Sequence, residues 1–138
     1  MPGAWRSTLV GIDTNILVRL LTREHAAEVQ RAFRLLQQGP VFVATTVVLE
    51  TEWVLRFAYG YSVEHVVAAL RGCSGLANVE LEEPARIAHA LDWHEQGLDF
   101  ADALHLASRR TTDAFVSLDK KLVRQAARLT ELAVRLPD

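Results

Sequence analysis

Four acidic residues stand far apart along the chain in similar settings. Asp13 follows Leu9-Val10-Gly11-Ile12, Glu50 follows Thr46-Val47-Val48-Leu49, Asp102 lies in Asp99-Phe100-Ala101-Asp102, and Asp119 follows Ala114-Phe115-Val116-Ser117-Leu118. Brought to one place, such carboxylates repel: at about 5 Å and an effective dielectric of about 20, each ionised pair costs roughly 3 kcal/mol. A cluster of that kind takes up protons or a cation. An all-oxygen set without a Cys/His partner selects a hard cation, Mg²⁺ or Mn²⁺, that keeps several waters, and it suits zinc poorly. An ion of this type activates water and stabilises charge on a phosphodiester as water displaces the leaving oxygen in line. That is nuclease chemistry.

The elements around these acids explain how they could meet. Leu9 to Ile12 and Ala114 to Val116 read as short buried strands, and ligands of a parallel α/β sheet gather beyond the carboxyl ends of its strands. Asp13 and Asp119 would arrive there directly. Glu50 lies about one helical turn beyond a strand at Phe42-Val43-Ala44, with Thr45 or Thr46 as N-cap and an amphipathic run from Val47. Asp102 falls in the first turn of a helix that begins after Gly97. All four acids are therefore expected at one sheet edge.

The remaining pattern predicts helices over 14–21, 23–38, 47–57 and 63–70, the third ended by Gly60 and the fourth begun by Ser62 and ended by Gly72 and Gly75. A strand over 78–81, helices over 83–96, 99–109 and 120–129, and a last strand over 133–136 complete the chain. Strands alternating with helices indicate a mainly parallel sheet of about four to five strands covered on both faces, a three-layer α/β/α sandwich. No repeat, low-complexity tract or linker interrupts it, so residues 1–138 read as a single domain, with 1–7 as a flexible or edge extension.

Composition fits a compact α/β domain: 138 residues, half of them hydrophobic, can build a core without staples. The single cysteine, Cys73, excludes an internal disulfide, and the absence of a leader or a long apolar span argues for a cytoplasmic setting away from the membrane. A formal charge of −2 argues against a nucleic-acid binder until place is considered. Without Asp13, Glu50, Asp99, Asp102 and Asp119, 12 acids face 15 Lys plus Arg, which permits a polyanion near a metal-neutralised pit.

In order and spacing, Asp13-Thr14-Asn15-Ile16-Leu17-Val18-Arg19, Thr46-Val47-Val48-Leu49-Glu50, Asp99-Phe100-Ala101-Asp102-Ala103-Leu104-His105 and Ser117-Leu118-Asp119-Lys120-Lys121-Leu122 resemble the motifs of PIN-domain ribonucleases, most closely the VapC-like toxins of toxin–antitoxin pairs. The resemblance runs from about Leu9 to Leu136. It implies a PIN-like α/β/α sandwich, Mg²⁺- or Mn²⁺-dependent endoribonuclease activity, a homodimer, and inhibition by a small cognate antitoxin. Residue by residue, Asp13, Glu50, Asp102 and Asp119 match the acidic quartet as catalytic metal ligands, with Asn15 and Ser117 in the polar positions beside it.

Each residue also has a plainer reading. Asp13 and Asp119 could be turn or N-cap residues, and Glu50 a solvent-facing residue paired with Arg56. Asp99 and Asp102 compete, since D-x-x-D also describes an N-cap with an acidic partner; Asp102 is assigned to the metal and Asp99 to capping or outer support. Asn15 fixes the turn and orients Asp13, while Ser117 holds a water or ties the strand end. Arg19 and Arg23 are candidates for RNA phosphate contacts or a solvated face. His105, one turn after Asp102, reads as structural or as outer support, with a catalytic or metal role as the alternative, and Lys120 stays outside the catalytic set. Trp53 and Phe57, at i and i+4, read as core, with a groove for an antitoxin helix as the alternative.

The leading expectation is an endoribonuclease that leaves 5′-phosphate and 3′-hydroxyl ends. The alternative is a PIN-like binding module with little hydrolysis. A phosphoryl-transfer domain with a covalent Asp acceptor fares worst, because it wants a second Asp where this chain has Asn15.

Overall fold

Strand β1 (Val10–Gly11) turns at Asp13 into helix α1 (Thr14–Thr22), whose buried stripe of Thr14, Leu17, Val18 and Leu20 has the i, i+3, i+4 spacing of an amphipathic helix. The computed structural model describes residues 8–138, so the expected extension over 1–7 lies outside the described residues. Helix α2 (Ala26–Gln38) begins three residues later than the sequence pattern suggests. Arg23 and His25 both take left-handed backbone angles, φ 58° and 64°, which no helix continues through. Gly39 and Pro40 then lead into β2 (Val41–Val43), which is buried at both valines.

Helix α3 (Thr45–Phe57) starts earlier than expected, and its N-cap is Ala44 rather than Thr45 or Thr46. The cap is supplied from afar: Glu82 Oε1 accepts the Thr45 N–H at 2.9 Å. Gly60, at φ +69°, follows the end of α3. Helix α4 (Val63–Ser74) is capped by Ser62, whose side chain accepts from His65 N, and it runs through Gly72 to end at Gly75. Strand β3 (Val79–Leu81) closes a parallel ladder in the order β1-β2-β3, with Val10 beside Val41 and Val41 beside Val79. Because the three strands are parallel, Asp13, the start of α3 and Glu82 all lie at the same carboxyl edge.

The second half begins with α5 (Pro84–Glu95), which buries Ile87, Ala90, Leu91 and His94. It continues through α6 (Phe100–Ala107), β4 (Phe115–Val116), α7 (Lys120–Leu129) and β5 (Val134–Arg135). Strands β4 and β5 pair in parallel, Phe115 beside Val134. The chain divides into two compact units, residues 1–84 and 85–138, each with its own ladder. Five strands are present among the described residues, within the expected four to five, and every pairing is parallel, yet the hydrogen-bonded ladders are three-stranded and two-stranded instead of one sheet. Strands β1, β4 and β5 are only two residues long, so each offers very few ladder bonds.

The aromatic pair on α3 is a correction to the expected core. Trp53 is 56% exposed and Phe57 63% exposed, with ring centroids 5.2 Å apart. The helix instead buries Val48, Thr51, Glu52 and Leu55. Steps of 3, 4 and 7 residues from Val48 give that stripe, which leaves positions 53 and 57 off the buried face.

Candidate functional site

At the edge of the first unit, Asp13 is the N-cap of α1, and its Oδ1 accepts the Ile16 N–H at 3.1 Å. A cap uses one carboxylate oxygen and fixes the direction of the other. Asn15, in the first turn of α1, is exposed. Thr14, the buried residue after Asp13, donates its hydroxyl hydrogen to Glu50 Oε1 at 2.5 Å. This bond joins the start of α1 to α3 and ties Glu50 to the neighbourhood of Asp13. Glu50 is exposed and is not the partner of Arg56; that guanidinium binds buried Glu52 instead, one bond being Nη2 to Oε1 at 3.2 Å.

The proposed RNA contacts lie further along α1. Arg19 Nε donates to Glu28 Oε1 at 3.0 Å, and Nη1 donates to the Tyr59 hydroxyl at 3.3 Å. The hydrogen bond from Arg19 holds the Glu28 carboxyl below its ordinary value. Arg23 lies over the Phe33 ring, 5.4 Å from its centroid, so part of its surface serves packing at the α1–α2 turn.

In the second unit Asp99 is the N-cap of α6, with Oδ2 accepting the Asp102 N–H at 3.2 Å. Asp102 therefore stands inside the first turn with its carboxylate uncommitted to the cap. Asp119 caps α7, its Oδ1 accepting from Lys121 N at 2.9 Å and Leu122 N at 3.1 Å. Ser117 Oγ accepts the Asp119 N–H at 3.0 Å and so tightens the turn out of β4. Two further bonds steady this region. His94 Nδ1 lies 2.7 Å from the Leu98 carbonyl oxygen, which can only accept, so that nitrogen carries the proton. Gln125 Nε2 donates to the Gly97 carbonyl at 3.1 Å, linking α7 to the loop before Asp99.

The electrostatics single out one carboxyl. Burial, then the negative charges of Asp99 and Asp119, raise Asp102 above its ordinary value, and His105 opposes the shift. Burial is the larger cause and the like charges the smaller; a cation would offset the latter, and donors that are carboxylate oxygens fit Mg²⁺ or Mn²⁺. The acids nevertheless fall into two sets, Asp13 with Glu50 and Asp99 with Asp102 and Asp119. Among the described residues no group of three or more His, Cys, Asp or Glu side chains is arranged to hold a metal ion.

Sequence reading overlooked Thr14 and Glu82. Glu82 carried a usable signal, since it comes just after strand β3 as Asp13 comes just after β1. Thr14 carried none, because its role rests on a partner 36 residues away.

A family model of the PIN domain matches residues 10–128, a span that crosses both units and contains all four acidic motifs. No curated protein matches. Among solved structures the chain is similar to VapC20 of Mycobacterium tuberculosis, described as a toxin that cleaves the sarcin-ricin loop; identity is 22%, 91% of this chain and 99% of that one are covered, and the TM-score is 0.41. With its family model extending over most of its length, the chain belongs to the PIN-domain family.

Proposed function

We propose that this chain is a metal-dependent endoribonuclease, the toxin of a toxin–antitoxin pair, that hydrolyses RNA to 5′-phosphate and 3′-hydroxyl ends. The observation that carries the reading is the placement of Asp13 and Asp119 just beyond the ends of parallel strands, with Glu50 tied to the first of them through Thr14. In this reading both units form one PIN domain, since one family model covers both. Asp13, Glu50, Asp102 and Asp119 are the ligands of Mg²⁺ or Mn²⁺, which when bound supplies charge neutralisation and an activated water. Asn15, Asp99 and Ser117 support them. Asp13, Asp99 and Asp119 are held by helix-cap bonds, so their rotamers are set before substrate arrives. Partners in the same reading are a cognate antitoxin and a second copy of the chain in a homodimer, acting in the cytoplasm. No described helix is long and apolar enough to cross a membrane.

The test is cleavage of single-stranded RNA with Mn²⁺. Activity is expected with the parent chain, lost with EDTA, and reduced by orders of magnitude in Asp13→Asn and Asp119→Asn, with 5′-phosphate on the products. Equal cleavage by parent and variants would defeat it. A second reading, a PIN-like binding module, is favoured by the capping bonds of Asp13, Asp99 and Asp119, which give these acids structural work without a metal. Stable RNA under all these conditions would favour that module.

A further inference from the structure

A cleft of about 380 Å³ opens between α1 and α2 in the first unit, lined in part by Asn15, Ile16, Arg19, Glu28, Arg31 and Leu35. Asn15 and Arg19 are one helical step of four residues apart, so they share a face of α1 at a rise of about 6 Å. The cleft therefore leads away from the Asp13 end of the helix. Its α2 wall presents Glu28, Arg31 and Leu35 at intervals of three and four residues, again one face. Two guanidinium groups against one carboxylate leave the cleft net positive in a chain whose formal charge is −2.

The two arginines differ in a useful way. Arg19 is held in place by Glu28 and Tyr59, which use its Nε and one hydrogen of Nη1 and leave Nη2 for another acceptor. Arg31 is exposed and near enough to Glu28 to influence its charge, and among the described residues no hydrogen bond occupies it. A fixed fork beside a free one suits a phosphate, whose oxygens accept from both. The apolar lining residues Ile16 and Leu35 offer a sugar or base a surface to pack on.

We infer that this cleft is a subsite for a backbone phosphate of single-stranded RNA, with Arg19 and Arg31 as its donors and Glu28 as the carboxylate that pre-orients Arg19. The subsite rests on the nuclease reading for its biological sense, but its test does not depend on cleavage. Binding of a fluorescent single-stranded oligoribonucleotide is measured on the full chain carrying Asp13→Asn, without divalent metal, over a series of salt concentrations. Losing one phosphate contact reduces the slope of log K against log salt by about 0.7. Arg31→Gln and Arg19→Gln should each show that reduction and weaken binding about tenfold at low salt. Glu28→Gln should tighten binding by removing the competing charge.

Arg31 is exposed, so its variant keeps the test decisive if Arg19→Gln perturbs folding. Unchanged affinity and slope in Arg31→Gln would overturn the subsite. So would an equal loss of binding to a poly-glutamate peptide, which would assign the cleft to an acidic polypeptide. A parent chain that fails to cleave RNA but shows the reduced slope on substitution would defeat the nuclease reading and leave the subsite standing.

Discussion

Thr14 and Glu50 are joined by a 2.5 Å hydrogen bond from the threonine hydroxyl to Oε1, between the first residue of α1 and the second turn of α3. A carboxylate that accepts this bond on one oxygen presents the other in a set direction. Thr14→Val preserves shape and removes the donor, and because Glu50 is exposed, water can replace the lost bond at little cost in stability. We expect Mn²⁺ affinity, measured by calorimetry, to fall about tenfold in Thr14→Val and to recover in Thr14→Ser. Unaltered affinity in Thr14→Val would show that the bond is structural only.

Asp99 and Asp102 divide capping from ligation, and substitutions separate the two. Asn caps a helix about as well as Asp, so Asp99→Asn should keep stability, whereas Asp99→Ala should lose about 1 kcal/mol in urea unfolding. Both should retain measurable RNA cleavage. Asp102→Asn should remain folded and lose cleavage by orders of magnitude. The reverse pattern would transfer the metal ligand to Asp99.

Glu52 is 2% exposed and bound by Arg56 four residues on. Removing the cation takes a charge partner from a buried carboxylate, so Arg56→Ala should destabilise the chain by about 1 kcal/mol or more in chemical unfolding. Replacing both residues with leucine should recover part of that loss, since neither charge of the pair then has to be buried. A loss in the double variant as large as in Arg56→Ala would show that the pair stabilises beyond mutual neutralisation.

Cys73 is buried on α4, and burial pushes its thiol from 9.0 up to about 11. The folded state thus holds the thiol proton more tightly than the unfolded state. The associated stability is fully present below about pH 9 and is lost as pH rises toward 11, a loss of about 2 to 3 kcal/mol. Unfolding free energies at pH 8 and pH 11 should differ by that much more in the parent than in Cys73→Ala. Equal differences would mean that the thiol ionises as freely in the folded chain as in the unfolded one.

Local signals were the legible part of this fold. Ser62 announces α4 by its capping side chain, α7 spans the expected Lys120–Leu129, and Asp13 and Asp119 read correctly as acids that follow short strands and start helices. Features set by distant partners were not legible. The start of α3 takes its cap from Glu82, 37 residues on, so the threonines that looked like caps are not used that way. Glu50 and Glu52 are chemically alike and two apart; helical phase sends Glu52 inward to Arg56 and leaves Glu50 to Thr14. Trp53 and Phe57 misled because aromatic character suggests burial, while their place on the helix circumference decides exposure.

In the proposed site, four carboxylates from distant parts of the chain serve one ion. Mn²⁺ binding by the parent and by Asp13→Asn, Glu50→Gln, Asp102→Asn and Asp119→Asn, read by calorimetry with folding checked by circular dichroism, tests this most directly. Each substitution, whichever unit carries it, should weaken the same binding event at least tenfold, roughly the scale expected on removing a charged ligand. Undiminished Mn²⁺ affinity in both Asp13→Asn and Glu50→Gln, or in both Asp102→Asn and Asp119→Asn, would contradict it.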